Sequence, residues 1–236
     1  FRFARVGESR FYQKEKVACN EHTQLALEVA RKSMVLLKNE NSFLPVNRDS
    51  ISKIAVIGKF ADIPNLGDRG SSRVYPPYVI TPFEGIRQQA GKSVQVFYDS
   101  GKNLDQAKKV AKKADLAVVV VGFSWREEGE YIPFLKFGGD RTELNLPKEQ
   151  EELIRAVLDV NQNCVVVIEA GSAVIMGDWQ ERAKAIIFAW YPGMEGGRAL
   201  AEIIFGDVNP SGRLPITFPS SYDQLPAFDN RARKVK

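Results

Sequence analysis

The sequence predicts an α/β protein: a mostly parallel sheet of five or six strands with helices on both faces. Two observations carry this. Runs of β-branched residues alternate about five times with helical patterns. Several of those runs, above all Leu116–Gly122 and Cys164–Glu169, are apolar at nearly every position, as suits parallel strands buried on both faces. A third observation concerns position: the loops at residues 59–80, 123–147, 171–179 and 191–197 all leave the carboxyl ends of predicted strands, where open sheets of this kind hold ligands.

Taken in order, residues 1–20 are polar and aromatic without period and read as an arm; residues 21–236 read as one domain. Phe1, Phe3, Phe11 and Tyr12 are too aromatic for a free tail and are expected to pack on the domain or on a partner. Residues 22–38 predict a helix, with Leu25, Val29, Ser33 and Leu36 on one face and Ala26, Ala30 and Leu37 beside it. Residues 53–58 read as a short buried strand. A helix opens at Pro82, where the missing N–H is harmless, and a strand follows at residues 94–98. Residues 104–114 form a helix whose lysines, Lys108, Lys109, Lys112 and Lys113, read as a solvated face. Leu116–Gly122 is the strongest strand. Residues 148–160 are helical, Cys164–Glu169 is a strand, and residues 185–190 are another. Residues 195–205 form a helix stopped by Gly206, and residues 213–218 are expected to add a last strand.

Composition narrows the function. With 44% apolar and 26% charged residues in 236, the chain is neither disordered nor fibrous. Lysine plus arginine number 33 against 29 acids, a net +4, but the cations are scattered and only residues 231–236 are densely basic, so no nucleic-acid partner is expected. No apolar run approaches the ~18 residues of a membrane span. One histidine, His22, excludes sites that need two imidazoles. Cys164 reads as a buried small hydrophobe, Cys19 lies in a polar lead-in, and no zinc spacing is present, so neither metal nor cofactor is expected. The glycines and serines at residues 66–72 match neither phosphate-binding fingerprint. Gly171-Ser172-Ala173 is not a nucleophile elbow.

Carboxylates remain. The loop after the strongest strand carries Glu127, Glu128 and Glu130 among Trp125, Arg126, Tyr131 and Phe134. Aromatic faces beside acids suit sugar rings, whose C–H faces stack while their hydroxyls bond. Apolar surroundings also raise a carboxyl pKa toward what a general acid needs. A hydrated acidic loop is the plain alternative.

These stretches resemble a family. Residues 30–39 (Ala-Arg-Lys-Ser-Met-Val-Leu-Leu-Lys-Asn) with Leu44-Pro45, Gly139-Asp140-Arg141 with Leu146-Pro147, Trp190-Tyr191-Pro192-Gly193 with Glu195-Gly196-Gly197, and residues 206–215 resemble the second, sheet-bearing domain of glycoside hydrolase family 3. The resemblance implies part of a retaining exo-acting β-glycosidase acting on terminal β-linked sugars. Its aspartate nucleophile would lie on an N-terminal barrel domain absent here, and this chain would supply the acid/base glutamate. Alone it would then be inactive. Counting from Gly122, Glu128 fits the acid/base position best. Glu130 competes, because residues 132–137 lengthen the loop, and Glu127 is third. Asp140 and Arg141 are expected to brace the loop. Trp125, Arg69 and Tyr131 are expected to touch substrate. A secreted or periplasmic location is favoured by the resemblance alone. A non-catalytic carbohydrate-binding or scaffolding module of the same fold is the alternative. A receiver-type regulatory domain is disfavoured by the single acid, Asp62, after the first predicted strand.

Overall fold

The computed structural model describes residues 14–67, 70, 72–130, 141 and 143–225. Helix α1 spans Asn20–Ser33, and strand β1, Val35–Asn39, follows it almost directly. The chain then forms β2 (Lys53–Ile57), α2 (Pro82–Ala90), β3 (Gln95–Asp99), α3 (Leu104–Lys112) and β4 (Leu116–Gly122). After these come α4 (Trp125–Glu128), α5 (Lys148–Leu158), β5 (Cys164–Glu169), α6 (Trp179–Arg182), β6 (Ala185–Phe188) and α7 (Gly196–Phe205). The six strands make one sheet in the order β1-β6-β5-β4-β2-β3. Only β1 runs antiparallel, on β6.

Period-two alternation sorts the side chains to two faces. Ile54, Val56, Leu116, Val118 and Val120 point to one core with residues of α1, α2 and α7. Ala55, Ile57, Ala117, Val119 and Val121 point to the other with residues of α3, α5 and α6. Both faces are therefore covered, and β4 and β5 are buried at every position.

Three expectations are corrected. The helix predicted over 22–38 stops at Ser33. The Ser33 carbonyl accepts from the Trp190 indole (3.2 Å) and the Met34 carbonyl from the Gly212 N–H (3.1 Å), so partners from the far end of the chain end the helix. Leu36 and Leu37 then fall on opposite faces of the sheet as strand residues. The inward side of α1 is Leu27 and Ala30, with Met34 just beyond; Leu25 and Val29 are each 58% exposed. Residues 213–218 form no strand. Pro215 lacks the N–H a ladder requires, and Phe218 instead packs edge-on against Phe188, ring centres 4.9 Å apart. Two short helices were not expected: α4 lies within the loop predicted at 123–147, and α6 starts where the loop predicted at 171–179 ends. The arm residues Phe1, Phe3, Phe11 and Tyr12 lie outside the described residues.

Chain order fixes where a ligand can bind. From β2 the chain goes to β3 on one side and then crosses to β4 on the other, so the loops after β2 and β4 part company at the sheet's carboxyl edge. That is the crevice where doubly wound sheets bind ligands.

Helices α2 and α7 approach closely at two glycines. A Cβ on Gly85 would lie 2.0 Å from the Gly197 carbonyl oxygen, and one on Gly197 would lie 2.0 Å from the Thr81 oxygen. On an open helix, Gly85→Ala would gain up to ~1 kcal/mol. Here the two helices must separate, and we expect a loss of about 1–3 kcal/mol, read by denaturant unfolding of the protein. A stabilised variant would contradict the close approach.

Candidate active site

The site grows from the end of β4. Gly122 sits at φ +142°, and a side chain there would drive its Cβ to 1.8 Å from the Glu169 carbonyl oxygen. The buried Gln150 amide closes the strand end, accepting from Gly122 N–H (2.6 Å) and donating to Gly122 O (2.8 Å). Phe123 N–H then bonds Glu169 O at 2.8 Å, so β4 and β5 leave the sheet together.

Ser124 starts α4. Its hydroxyl accepts from Arg126 N–H (3.3 Å), and Glu127 Oε2 turns back to accept from Ser124 N–H (2.8 Å) and Oγ–H (2.6 Å). This is a capping box, and Ser124-x-x-Glu127 was its signal in the sequence. Glu127 is committed to holding the helix.

Glu128 is committed too. Its Oε2 accepts from the Gly171 N–H at 2.6 Å and from the Tyr191 hydroxyl. Its Oε1 lies 2.8 Å from Arg141 Nε, out of line with the N–H, and is sealed from solvent. The side chains of Glu128 and Arg141 are only 10% and 7% exposed. Arg141 also donates to Ala173 O (2.8 Å) and covers the Phe123 ring at 4.3 Å. Burial, and then the bond to Glu128, hold the Tyr191 phenol well above its ordinary range, so it remains a donor. Tyr191 follows Trp190, whose backbone is left-handed at φ 58°, an uncommon strain for an aromatic residue.

Glu130, two residues beyond α4, is exposed. Trp125 is half-buried and stacks beneath the Arg126 guanidinium, 5.1 Å from its ring centre. Of the sequence-derived candidates, Glu128, Glu130 and Trp125 thus belong to one loop at the carboxyl edge. Arg69 and Tyr131 lie outside the described residues, as does Asp140.

Sequence reasoning missed Glu169 as a site residue. It ends the apolar β5 run, and a lone acid closing such a strand is the signal that was available. It is 3% exposed, and its Oε2 accepts from Asn65 Nδ2 at 3.0 Å. Asn65 also donates to Phe123 O at 2.8 Å, tying the loop after β2 to this edge. A cleft of about 550 Å³ opens between that loop and the start of α4, with Lys59, Arg73, Tyr75, Tyr78, Trp125 and Arg126 on its walls. Among the described residues no cluster of three or more His, Cys, Asp or Glu could hold a metal ion. No described helix is long and apolar enough to cross a membrane.

Burial pushes Glu169 up from the ordinary 4.5 to about 8, against the smaller opposing effect of the Asn65 amide. Between those values the folded protein holds a proton that the unfolded chain has lost. Stability therefore falls as pH rises through that window and is level above it. Glu169→Gln removes this dependence. Its melting temperature relative to the parent should climb across the window and flatten above it. A difference that stays constant with pH would contradict a buried neutral acid.

Comparison with known proteins places the chain. The profile of the glycosyl hydrolase family 3 C-terminal domain matches residues 34–236. The chain is 36% identical over 220 residues to a β-xylosidase of Formosa agariphila, covering 88% of this chain and 30% of that protein. It is 37% identical over 219 residues to thermostable β-glucosidase B of Acetivibrio thermocellus, covering 89% and 28%. The crystal structure of a Bifidobacterium adolescentis GH3 β-glucosidase superposes with a TM-score of 0.76 at 35% identity, over 91% of this chain and 31% of that one. The chain therefore spans under a third of each of these three relatives.

Proposed function

Because the chain belongs to the glycosyl hydrolase family 3 C-terminal domain family, we propose that it is the acid/base-bearing part of a retaining exo-acting β-glycosidase, with Glu130 as the proton-transferring carboxyl. One observation carries the assignment. Of three clustered glutamates, Glu127 caps a helix and both oxygens of Glu128 are enclosed by protein, while Glu130 is exposed. A general acid must reach the glycosidic oxygen within hydrogen-bond distance. Glu128 could do so only by abandoning Gly171, Tyr191 and Arg141. This moves the role two positions from the residue that sequence counting ranked first.

The chemistry follows from the pair of carboxyls that retaining glycosidases use. A nucleophilic aspartate, carried by a part of the enzyme outside these 236 residues, attacks the anomeric carbon as Glu130 protonates the leaving oxygen. Glu130 then takes a proton from water, whose oxygen displaces the aspartate. Such carboxyls stand roughly 5–5.5 Å apart, so the partner domain must dock on the edge that bears Glu130. Ile63 and Val74, 49% and 63% exposed on the loop after β2, give that edge an apolar rim for docking. Both β-xylosidase and β-glucosidase occur among the relatives at nearly equal identity. The likeness therefore does not choose between a xylose and a glucose glycone, and a panel of aryl β-glycosides identifies it.

In the complete enzyme, Glu130→Gln should lower kcat/KM for a natural disaccharide by ~10²–10⁴-fold. The loss should be far smaller for an aryl glycoside whose leaving group needs no proton, and azide should restore turnover of that substrate. Glu128→Gln should lower the melting temperature and show no azide rescue. Rescue of the Glu128 variant instead would return the role to that residue. Absence of both leaving-group dependence and rescue in either variant would favour a non-catalytic module.

A further inference from the structure

The cleft between the loop after β2 and α4 has a chemistry that acid/base catalysis does not use. Lys59, Arg73 and Arg126 line it, and among its described lining residues there is no aspartate or glutamate. Glu127, outside the lining, pairs with Lys59 at 4.0 Å through Oε1 while its Oε2 is spent on Ser124. Three cations share one opening and repel one another, and the described lining carries no carboxylate of its own to balance them.

Their surroundings define what would. The Arg73 guanidinium lies 4.4 Å from the Tyr75 ring centre and that of Arg126 lies 5.1 Å from Trp125. An arginine held against an aromatic face keeps its N–H donors available in the plane of the guanidinium, the arrangement that grips a carboxylate with two parallel bonds. Tyr75 is 75% exposed and Tyr78 42% exposed, so ring faces are available beside the charges. The cleft lies at the point where the strand order reverses, and α4, which forms one wall, ends two residues before Glu130. A group leaving through Glu130 is released next to this wall.

We propose that the cleft is a subsite for a leaving group that carries a carboxylate on a ring, with Lys59, Arg73 and Arg126 binding the acid and the aromatic side chains holding the ring. The place of the subsite beside the scissile bond rests on the reading of Glu130 as acid/base; the cleft's preference for anions does not. A uronic acid residue and an aromatic acid share this chemistry.

The test uses the complete enzyme and two readouts. The first is kcat/KM for the 4-carboxyphenyl and 4-carbamoylphenyl glycosides of one glycone, in the parent and in Arg73→Gln and Lys59→Gln. The comparison between parent and variant cancels the intrinsic reactivity of the two leaving groups. We expect the acid-to-amide ratio to fall about tenfold or more in Arg73→Gln, the scale of a lost charge-assisted hydrogen bond, and to shrink in the parent as salt is raised. The second readout is calorimetric binding of 4-hydroxybenzoate against 4-hydroxybenzamide, which needs no turnover. A matching pair of disaccharides, one ending in a uronic acid and one in its neutral sugar, separates the sources. Discrimination with the disaccharides alone assigns the cleft to sugar acids, and with the aryl pair alone to aromatic acids. Turnover with an unchanged ratio in both variants, and no preference for the benzoate, would overturn the subsite and leave the hydrolase reading standing. Selective binding without turnover of any glycoside would keep the anion site and defeat the hydrolase reading. A variant that instead loses its domain docking, seen as separate melting transitions with the acid-to-amide ratio intact, would mean that an acidic segment of the enzyme fills the cleft, and would overturn the subsite.

Discussion

One enclosed carboxylate organises the carboxyl edge of the sheet. Glu128 leaves the loop after β4 and takes an N–H from Gly171 after β5, a hydroxyl from Tyr191 after β6, and a guanidinium contact from Arg141 farther along its own loop. Three loops that are distant in sequence meet on two oxygens. Breaking such a buried pair by removing one partner typically costs ~3–5 kcal/mol, because the other charge is left without a counterpart. The surrounding structure has been arranged to keep it. Gln150 closes the end of β4, Asn65 links the loop after β2 to both Phe123 and Glu169, and the strained Trp190 backbone delivers Tyr191.

That arrangement commits two of the adjacent glutamates to bracing, and the proposed function gives the chemistry to the third. Glu127 caps the short helix and Glu128 fixes its far end, so the backbone leading into Glu130 is held at both ends of α4. A proton-transferring carboxyl needs an oxygen open to substrate and a fixed origin. In the proposed reading the two anchored neighbours supply the origin, and the exposure of Glu130 supplies the opening.

The parts of the fold legible in the sequence were those where local pattern and tertiary environment agree. β4 and β5 are buried on both faces and read as unbroken apolar runs, with the same bounds in the structure as in the sequence reading. Loop length and glycine content pointed to the carboxyl edge of the sheet, where the structure gathers these loops. The misread elements depend on remote partners. Leu36 continues the helical spacing of Leu25 and Val29, and only the capping of Ser33 and Met34 by Trp190 and Gly212 shows that the helix has ended. Which of Glu128 and Glu130 is enclosed was not legible for the same reason. Spacing cannot tell which carboxylate meets Arg141, Gly171 and Tyr191, because the three come from different loops. The capping box at Ser124 and Glu127 was legible, and would have placed α4 and removed Glu127 from consideration.

The central claim, that Glu128 braces and Glu130 reacts, is tested most directly by a crystal structure of the complete enzyme with an unhydrolysed glycoside analogue spanning the scissile bond. The account predicts the Glu130 carboxyl within ~2.6–3.2 Å of the glycosidic oxygen, with Glu128 still bound to Gly171, Tyr191 and Arg141. A structure in which Glu128 leaves those partners to contact the ligand, with Glu130 turned into solvent, would contradict it.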